Sequence, residues 1–150
     1  KSAQNMLEAV IPSAQQATIF IATAAVADWR PAHAADHKIK KDGSGATPQL
    51  QFVENPDILA TVAQSARALS GALFCVGFAA ESQDLLANAQ AKRARKGVPL
   101  LVGNIGPATF GQDHNALLLV DAHRATELPH ASKLTLARQL VAEIATRLPK

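Results

Sequence analysis

Tyrosine is absent from this 150-residue chain, whose aromatics are five phenylalanines and one tryptophan. The stacking platforms that single-stranded nucleic-acid binders use are therefore scarce, and nucleic acid is not the expected partner. Cysteine occurs once, as Cys75. No intramolecular disulfide can form, which fits a reducing, cytoplasmic setting. Cys75 lies in Ala72-Leu73-Phe74-Cys75-Val76, an apolar run that reads as a buried strand, so the thiol is expected to be a small core group. There is no apolar run of about 18 residues and nothing at the amino end laid out like a signal peptide, so no membrane association is expected. Gly-x-Ser-x-Gly, a Walker loop and Cys-x-x-Cys are all missing, which removes serine hydrolase, P-loop and thioredoxin readings. His33, Asp36 and His37 share one loop, but no second cluster completes a zinc site.

What is present is ordinary for a folded protein: 48% hydrophobic residues, eight glycines and eight prolines. The length suits one core, and residues 1–150 are expected to form one domain. A net charge of +3 and an isoelectric point near 9.3 suit an anionic small molecule.

Residues 2–16 read as a helix disturbed at Pro12, and Thr18–Ala22 as a strand. A loop is expected over residues 27–37, around Trp29 and Pro31. Lys38–Lys41 and Gln49–Val53 are expected to pair as a projecting antiparallel ribbon across the turn-forming Asp42-Gly43-Ser44-Gly45. Asn55 is the expected N-cap of the next helix, with Pro56 at its first position and Ile58, Leu59, Val62 and Ala63 at helical spacing. A strand over Leu73–Gly77 follows, then a helix capped by Ser82, running from about Gln83 to Lys96 and stopped by Gly97. Pro99–Val102, Asn115–Asp121 and Ala125–Leu128 read as strands. Ser132 caps a last helix with Ala137, Leu140, Val141, Ile144 and Leu148 on its apolar face. Strands alternating with helices predict an α/β fold: a Rossmann-like, doubly wound, mainly parallel sheet.

The densest chemistry lies in Ala24-Ala25-Val26-Ala27-Asp28-Trp29-Arg30-Pro31 and, downstream, Lys38-Ile39-Lys40-Lys41. Small residues after a buried strand let a ligand approach the backbone, and ligands of open α/β sheets bind beyond the carboxyl ends of the strands. An acid there can hold a metal or a hydroxyl, and lysines suit phosphate. The same residues also describe a strand followed by a solvated basic loop. Lys92 and Lys96 share a helix face, where like charges favour a bound anion, although Lys96 also suits the helix dipole. Arg93 and Arg95 are expected to point elsewhere. Asn55 through Ile58 serve as a helix start or as a polar contact for a ligand, and Phe78 as a core aromatic or a wall for a base.

In order and spacing, these motifs resemble the phosphopantothenate–cysteine ligase family. The matching segments are Ala24–Pro31 with the lysine cluster, Asn55-Pro56-Asp57-Ile58, Val76–Glu81, Ala91–Lys96, Leu101–Asn104, Phe110–Ala116 and Glu143–Leu148. The resemblance implies CTP-dependent ligation of cysteine to 4′-phosphopantothenate through an acyl-cytidylate, a step of coenzyme A biosynthesis. It places Ala22, Thr23, Ala24, Asp28, Lys38, Asn55, Pro56, Asp57, Ile58, Phe78, Lys92 and Lys96 at the nucleotide, with Lys38 the catalytic phosphate clamp and Asp28 the candidate metal anchor. It further implies Mg2+, a homodimer with a site shared between subunits, and no flavin on this chain.

Two departures accompany the likeness. The glycine-rich strand–turn–helix and the asparagine-bearing segment that open the family's ligase domain have no counterpart, so the first βαβ portion is expected to be missing. Gly103-Asn104-Ile105 stands where the family usually has Ala-Asn-Asp. The alternative expectation is a nucleotide-binding or dimerisation fragment, inactive without that segment.

Overall fold

The computed structural model describes residues 2–40, 43, 45, 47–106, 109 and 111–148. Lys41, the Asp42 and Ser44 positions of the expected turn, and Phe110 lie outside the described residues.

In chain order the elements are α1 (Ala3–Ala14), β1 (Ile19–Ala22), β2 (Trp29–Pro31), β3 (Phe52–Glu54), α2 (Ile58–Ala63), α3 (Ala66–Leu69), β4 (Phe74–Glu81), α4 (Leu85–Lys96), β5 (Leu100–Ile105), β6 (His114–Val120), β7 (Ala125–Ser132) and α5 (Lys133–Arg147). The main sheet has the order β1-β4-β5-β6-β7. The pairs β1–β4 and β4–β5 are parallel, whereas β5–β6 and β6–β7 are antiparallel. The sheet is thus mixed, with a parallel half that matches the expected Rossmann-like α/β fold.

Two apolar clusters cover its two faces. Ala14 of α1, Val62 and Ala63 of α2 and Ala89 of α4 pack with Cys75, Ala79, Leu101 and Val120. On the other face Leu136, Leu140 and Ile144 of α5 pack with Val76, Leu100, Val102 and Leu119. Alternating strand residues therefore feed opposite layers, as a sheet covered on both sides requires. Cys75 is fully buried, and that burial pushes its thiol up to about 11, which leaves it inert as a nucleophile.

Several local expectations are corrected. The ribbon is not built on Lys38–Lys41: Trp29–Pro31 pairs with Phe52–Glu54, and Lys38 to Lys40 form no strand. The ladder extends at both ends, since the Ala32 amide donates to the Gln51 carbonyl and the Asn55 amide to the Asp28 carbonyl, both at 2.8 Å. Lys38-Ile39-Lys40 offers one apolar side chain to seat it against the sheet, whereas Trp29 and Arg30 follow closely on β1. Residues 27–37 are correspondingly not all loop.

Asp57, not Asn55, caps α2, its carboxylate accepting from the Ala60 amide at 3.0 Å. Ser82 caps nothing, because β4 runs on to Glu81 and leaves the N-cap place to Asp84, at φ 47 and without a side-chain cap bond. On α5, Ser132 is the cap as expected, accepting from the Thr135 amide. The buried face there is Leu136, Leu140 and Ile144, while Val141 is 60% exposed. Pro12 sits inside α1 without ending it.

Candidate functional site

A cavity of about 780 Å³ opens beside the carboxyl ends of β1 and β4. Ala22 through Ala27 line its floor, and the four alanines among them leave room for a ligand. Asp28 and Trp29 continue the wall into the ribbon, and Asn55, Pro56, Asp57 and Ile58 form the opposite lip. Phe78 and Ala80 of β4 contribute from the sheet, while Lys92, Arg95 and Lys96 reach in from α4. Eleven of the twelve expected site residues are gathered here. The exception is Lys38, which is exposed and not part of this wall.

The lip is braced by side chains. Asn55 Nδ2 donates to the Ala27 carbonyl at 2.8 Å, while Arg30 Nη1 donates to Asn55 Oδ1 at 3.1 Å and to the Glu54 carbonyl. Asn55 therefore ties the strand-end loop to the start of α2, a structural task in place of the expected capping role. Gly77 lies under the same region. A Cβ there would stand 2.6 Å from Leu59 Cδ2 and 2.9 Å from Leu101 Cδ1, so any larger residue at 77 must move the ends of both leucine side chains.

The cations of α4 follow from its periodicity. Lys92, Arg95 and Lys96 stand at i, i+3 and i+4 and so share one face. Lys92 Nζ meets Glu81 Oε1 at 3.4 Å, and Lys96 Nζ pairs with Asp57 Oδ2. Burial works to raise the Asp57 pKa, but the hydrogen bond from Lys96, the Ala60 amide and the charges of Lys96 and Arg95 outweigh it, leaving the carboxyl below its ordinary 3.8. Arg95 is a correction to the sequence reading, which had it pointing away; its i+3 spacing from Lys92 was the available signal. Arg93 does turn away, donating to the Val98 carbonyl at 3.3 Å. Glu54 also joins the wall, on the ribbon side with Asp28.

A second hollow of about 880 Å³ lies between the start of α4 and the β6–β7 hairpin. Its lining is mainly apolar, with His114 and His130 stacked at 5.6 Å and no lysine or arginine among the described residues. Charge therefore makes the cavity at the β1 end the candidate site for an anionic ligand. Asn104, at the position of the unusual Gly-Asn-Ile, donates from Nδ2 to Thr109 Oγ1 at 2.9 Å and so has a local structural partner.

A half-parallel α/β sheet with small residues and a cationic helix face at its strand ends defines a Rossmann-like α/β domain. Over residues 1–148 the chain matches the family described as DNA/pantothenate metabolism flavoprotein C-terminal domain, and it belongs to that family. It is 40% identical over 140 residues to the coenzyme A biosynthesis bifunctional protein CoaBC of Vibrio cholerae, an alignment covering 91% of this chain and 34% of that protein. Identity to the protein of the same name from Mycolicibacterium smegmatis is 41% over 157 residues, covering 98% of this chain and 37% of that one. The chain thus spans about a third of the length of these relatives. Among solved structures, the C-terminal domain of CoaBC superposes with a TM-score of 0.75 at 28% identity, covering 99% of this chain and 63% of that chain. A Cab2 mutant in complex with phosphopantothenate-cysteine aligns at a TM-score of 0.62 and 22% identity, covering 86% and 43%, a likeness of fold alone. No helix among the described residues is long and apolar enough to cross a membrane.

Proposed function

We propose that this chain is one domain that handles the nucleotide in a phosphopantothenate–cysteine ligase, binding CTP in the cavity at the β1 end. The observation that carries the reading is the meeting of a small-residue strand end, a braced polar lip and three cations in one cavity. In the proposed reaction the carboxylate of 4′-phosphopantothenate attacks the α-phosphorus of CTP and pyrophosphate leaves. The amino group of cysteine then attacks the acyl carbon of the acyl-cytidylate, forming the amide and releasing CMP. Names of relatives in coenzyme A biosynthesis support this assignment.

Each residue has a task. Ala22, Thr23 and Ala24 let the nucleotide lie against the backbone, and Phe78 offers a flat apolar wall to the base. Asn55, Pro56, Asp57 and Ile58 contact it through the lip. Lys92 and Lys96 neutralise phosphate charge, a fixed electrostatic contribution that favours departure of pyrophosphate. Magnesium ions bind through one or two carboxylates plus substrate phosphates, and Asp28 and Glu54, on the ribbon side of the wall, suit that donor set. Bound there, Mg2+ would add charge neutralisation at the α-phosphate. Lys38 stands outside its own cavity wall, and its proposed task is to clamp the phosphates of the neighbouring subunit across the interface of a homodimer.

Calorimetric titration with CTP and Mg2+, followed by a pyrophosphate-release assay with 4′-phosphopantothenate and cysteine, tests the reading. Heat with sustained release is the expected result. Heat without release favours a nucleotide-binding module that needs the remainder of a longer ligase, an alternative supported by the third of its relatives' length that the chain spans. No heat overturns the assignment.

A further inference from the structure

The three cations of the cavity are not equivalent. Lys92 and Lys96 are each already opposed by a carboxylate, Glu81 and Asp57 respectively. An incoming anion gains from either lysine only by exchanging with that carboxylate. Arg95 lines the same cavity, is exposed, and makes no ion pair among the described residues. Its positive charge is the one available before any exchange occurs. Guanidinium is also the better group for a first encounter, since its planar fork donates to two phosphate oxygens at once and sheds water more readily than an ammonium.

We propose that Arg95 is the anion-capture residue of this cavity: it meets the polyphosphate first, and the lysines then trade their carboxylates for it. This deepens the nucleotide reading above and rests on it for the identity of the ligand. Capture acts mainly on association, because steering by an unpaired charge changes encounter rates and is screened by salt. Exchange at Lys96 acts mainly on dissociation.

Trp29, the single tryptophan, lines the cavity and supplies an intrinsic fluorescence signal for stopped-flow mixing. The probes are inorganic tripolyphosphate and CTP, each mixed with the 150-residue chain and with Arg95→Gln and Arg138→Gln. Arg138 is exposed on α5, across the sheet from α4, so its variant carries the same net-charge change away from the cavity. At low salt, Arg95→Gln is expected to slow association of both probes about fivefold and to flatten the salt dependence. Arg138→Gln is expected to change association less than twofold. Equal association rates for Arg95→Gln and wild type overturn the capture role, and leave the nucleotide reading standing if CTP still binds. Arg95-dependent association of tripolyphosphate without any CTP signal keeps capture and removes the nucleotide. Failure of both probes to bind wild type overturns both. Unchanged circular dichroism of the variants establishes that rates are compared between folded proteins.

Discussion

Replacing Asp57 separates two tasks that one carboxylate performs at the lip. Its Oδ1 caps α2 and its Oδ2 holds Lys96. Asp57→Asn keeps an N-cap acceptor, since asparagine caps as well as aspartate, but removes the charge. Asp57→Ala removes both. Loss of the cap costs about 1 kcal/mol. The ion pair adds only about 0.5 kcal/mol, because the Asp57 side chain is 43% exposed and solvent screens it. A loss of about 1.5 kcal/mol lowers Tm by about 4 °C in a domain of this size, so Asp57→Ala should melt about 4 °C lower and Asp57→Asn within about 1.5 °C of wild type. Anion binding should move the opposite way. Lys96 without its carboxylate no longer has to exchange, and an exposed pair of about 0.2–1 kcal/mol corresponds to tripolyphosphate binding about 1.5- to 5-fold tighter in Asp57→Asn. The pH dependence follows from the lowered pKa. The stabilisation is complete above the unfolded-state value and fades as pH falls through the folded-state value below 3.8. The gap between wild type and Asp57→Ala should therefore narrow in acid by the ion-pair share, leaving the cap share that a neutral carboxyl still supplies, and stay constant near neutrality. Thermal melts and calorimetry check both halves. An Asp57→Asn protein that binds tripolyphosphate no better than wild type, or melts as low as Asp57→Ala, would refute this division of labour.

Gly77→Ala should destabilise by about 1–3 kcal/mol in urea unfolding, because the new methyl must displace Leu59 and Leu101. Leu59 and Leu101 both line the cavity, so weaker CTP binding should accompany the loss. Asn55→Ala removes the link to the Ala27 carbonyl and should cost about 1 kcal/mol, with faster amide exchange in β2 and β3 as the direct readout. Lys38→Ala should lower CTP-dependent pyrophosphate release while leaving Tm within about 1 °C, since an exposed lysine outside any element carries little stability. Unchanged release in that variant removes Lys38 from the phosphate site.

Much of the fold was legible because continuous apolar runs and capped, periodic helices speak for themselves. Phe74–Gly77, Leu100–Val102 and the Ser132-capped α5 are such cases. The errors sit where two residues competed for one local task. Asn55-Pro56-Asp57 offers two N-caps, and the tertiary bond of Asn55 to Ala27 decided for Asp57. Ser82 lost its place to the continuation of β4, a pairing with Ile105 that no local pattern encodes. The ribbon was misplaced because Pro31 made Trp29–Pro31 look like a loop, whereas proline is tolerated in a two-stranded ladder with an open side. Eleven of the expected site residues line one cavity, because they sit at strand ends and on the helices that flank them. Arg95 was overlooked although its spacing from Lys92 and Lys96 places it on their face.

The two rims of the main sheet differ. The β7 rim carries Pro129, which cannot donate to a ladder, with Glu127 and His130 beside it. The β1 rim, the other end of the sheet, shows Ile19 and Ile21, both more than a third exposed, with neither proline nor charge between them. Unguarded apolar edges template intermolecular pairing, and charges or prolines on an edge suppress it. Among the described residues β1 is thus the rim open to a further strand, on the side of the sheet remote from the histidine-bearing hairpin.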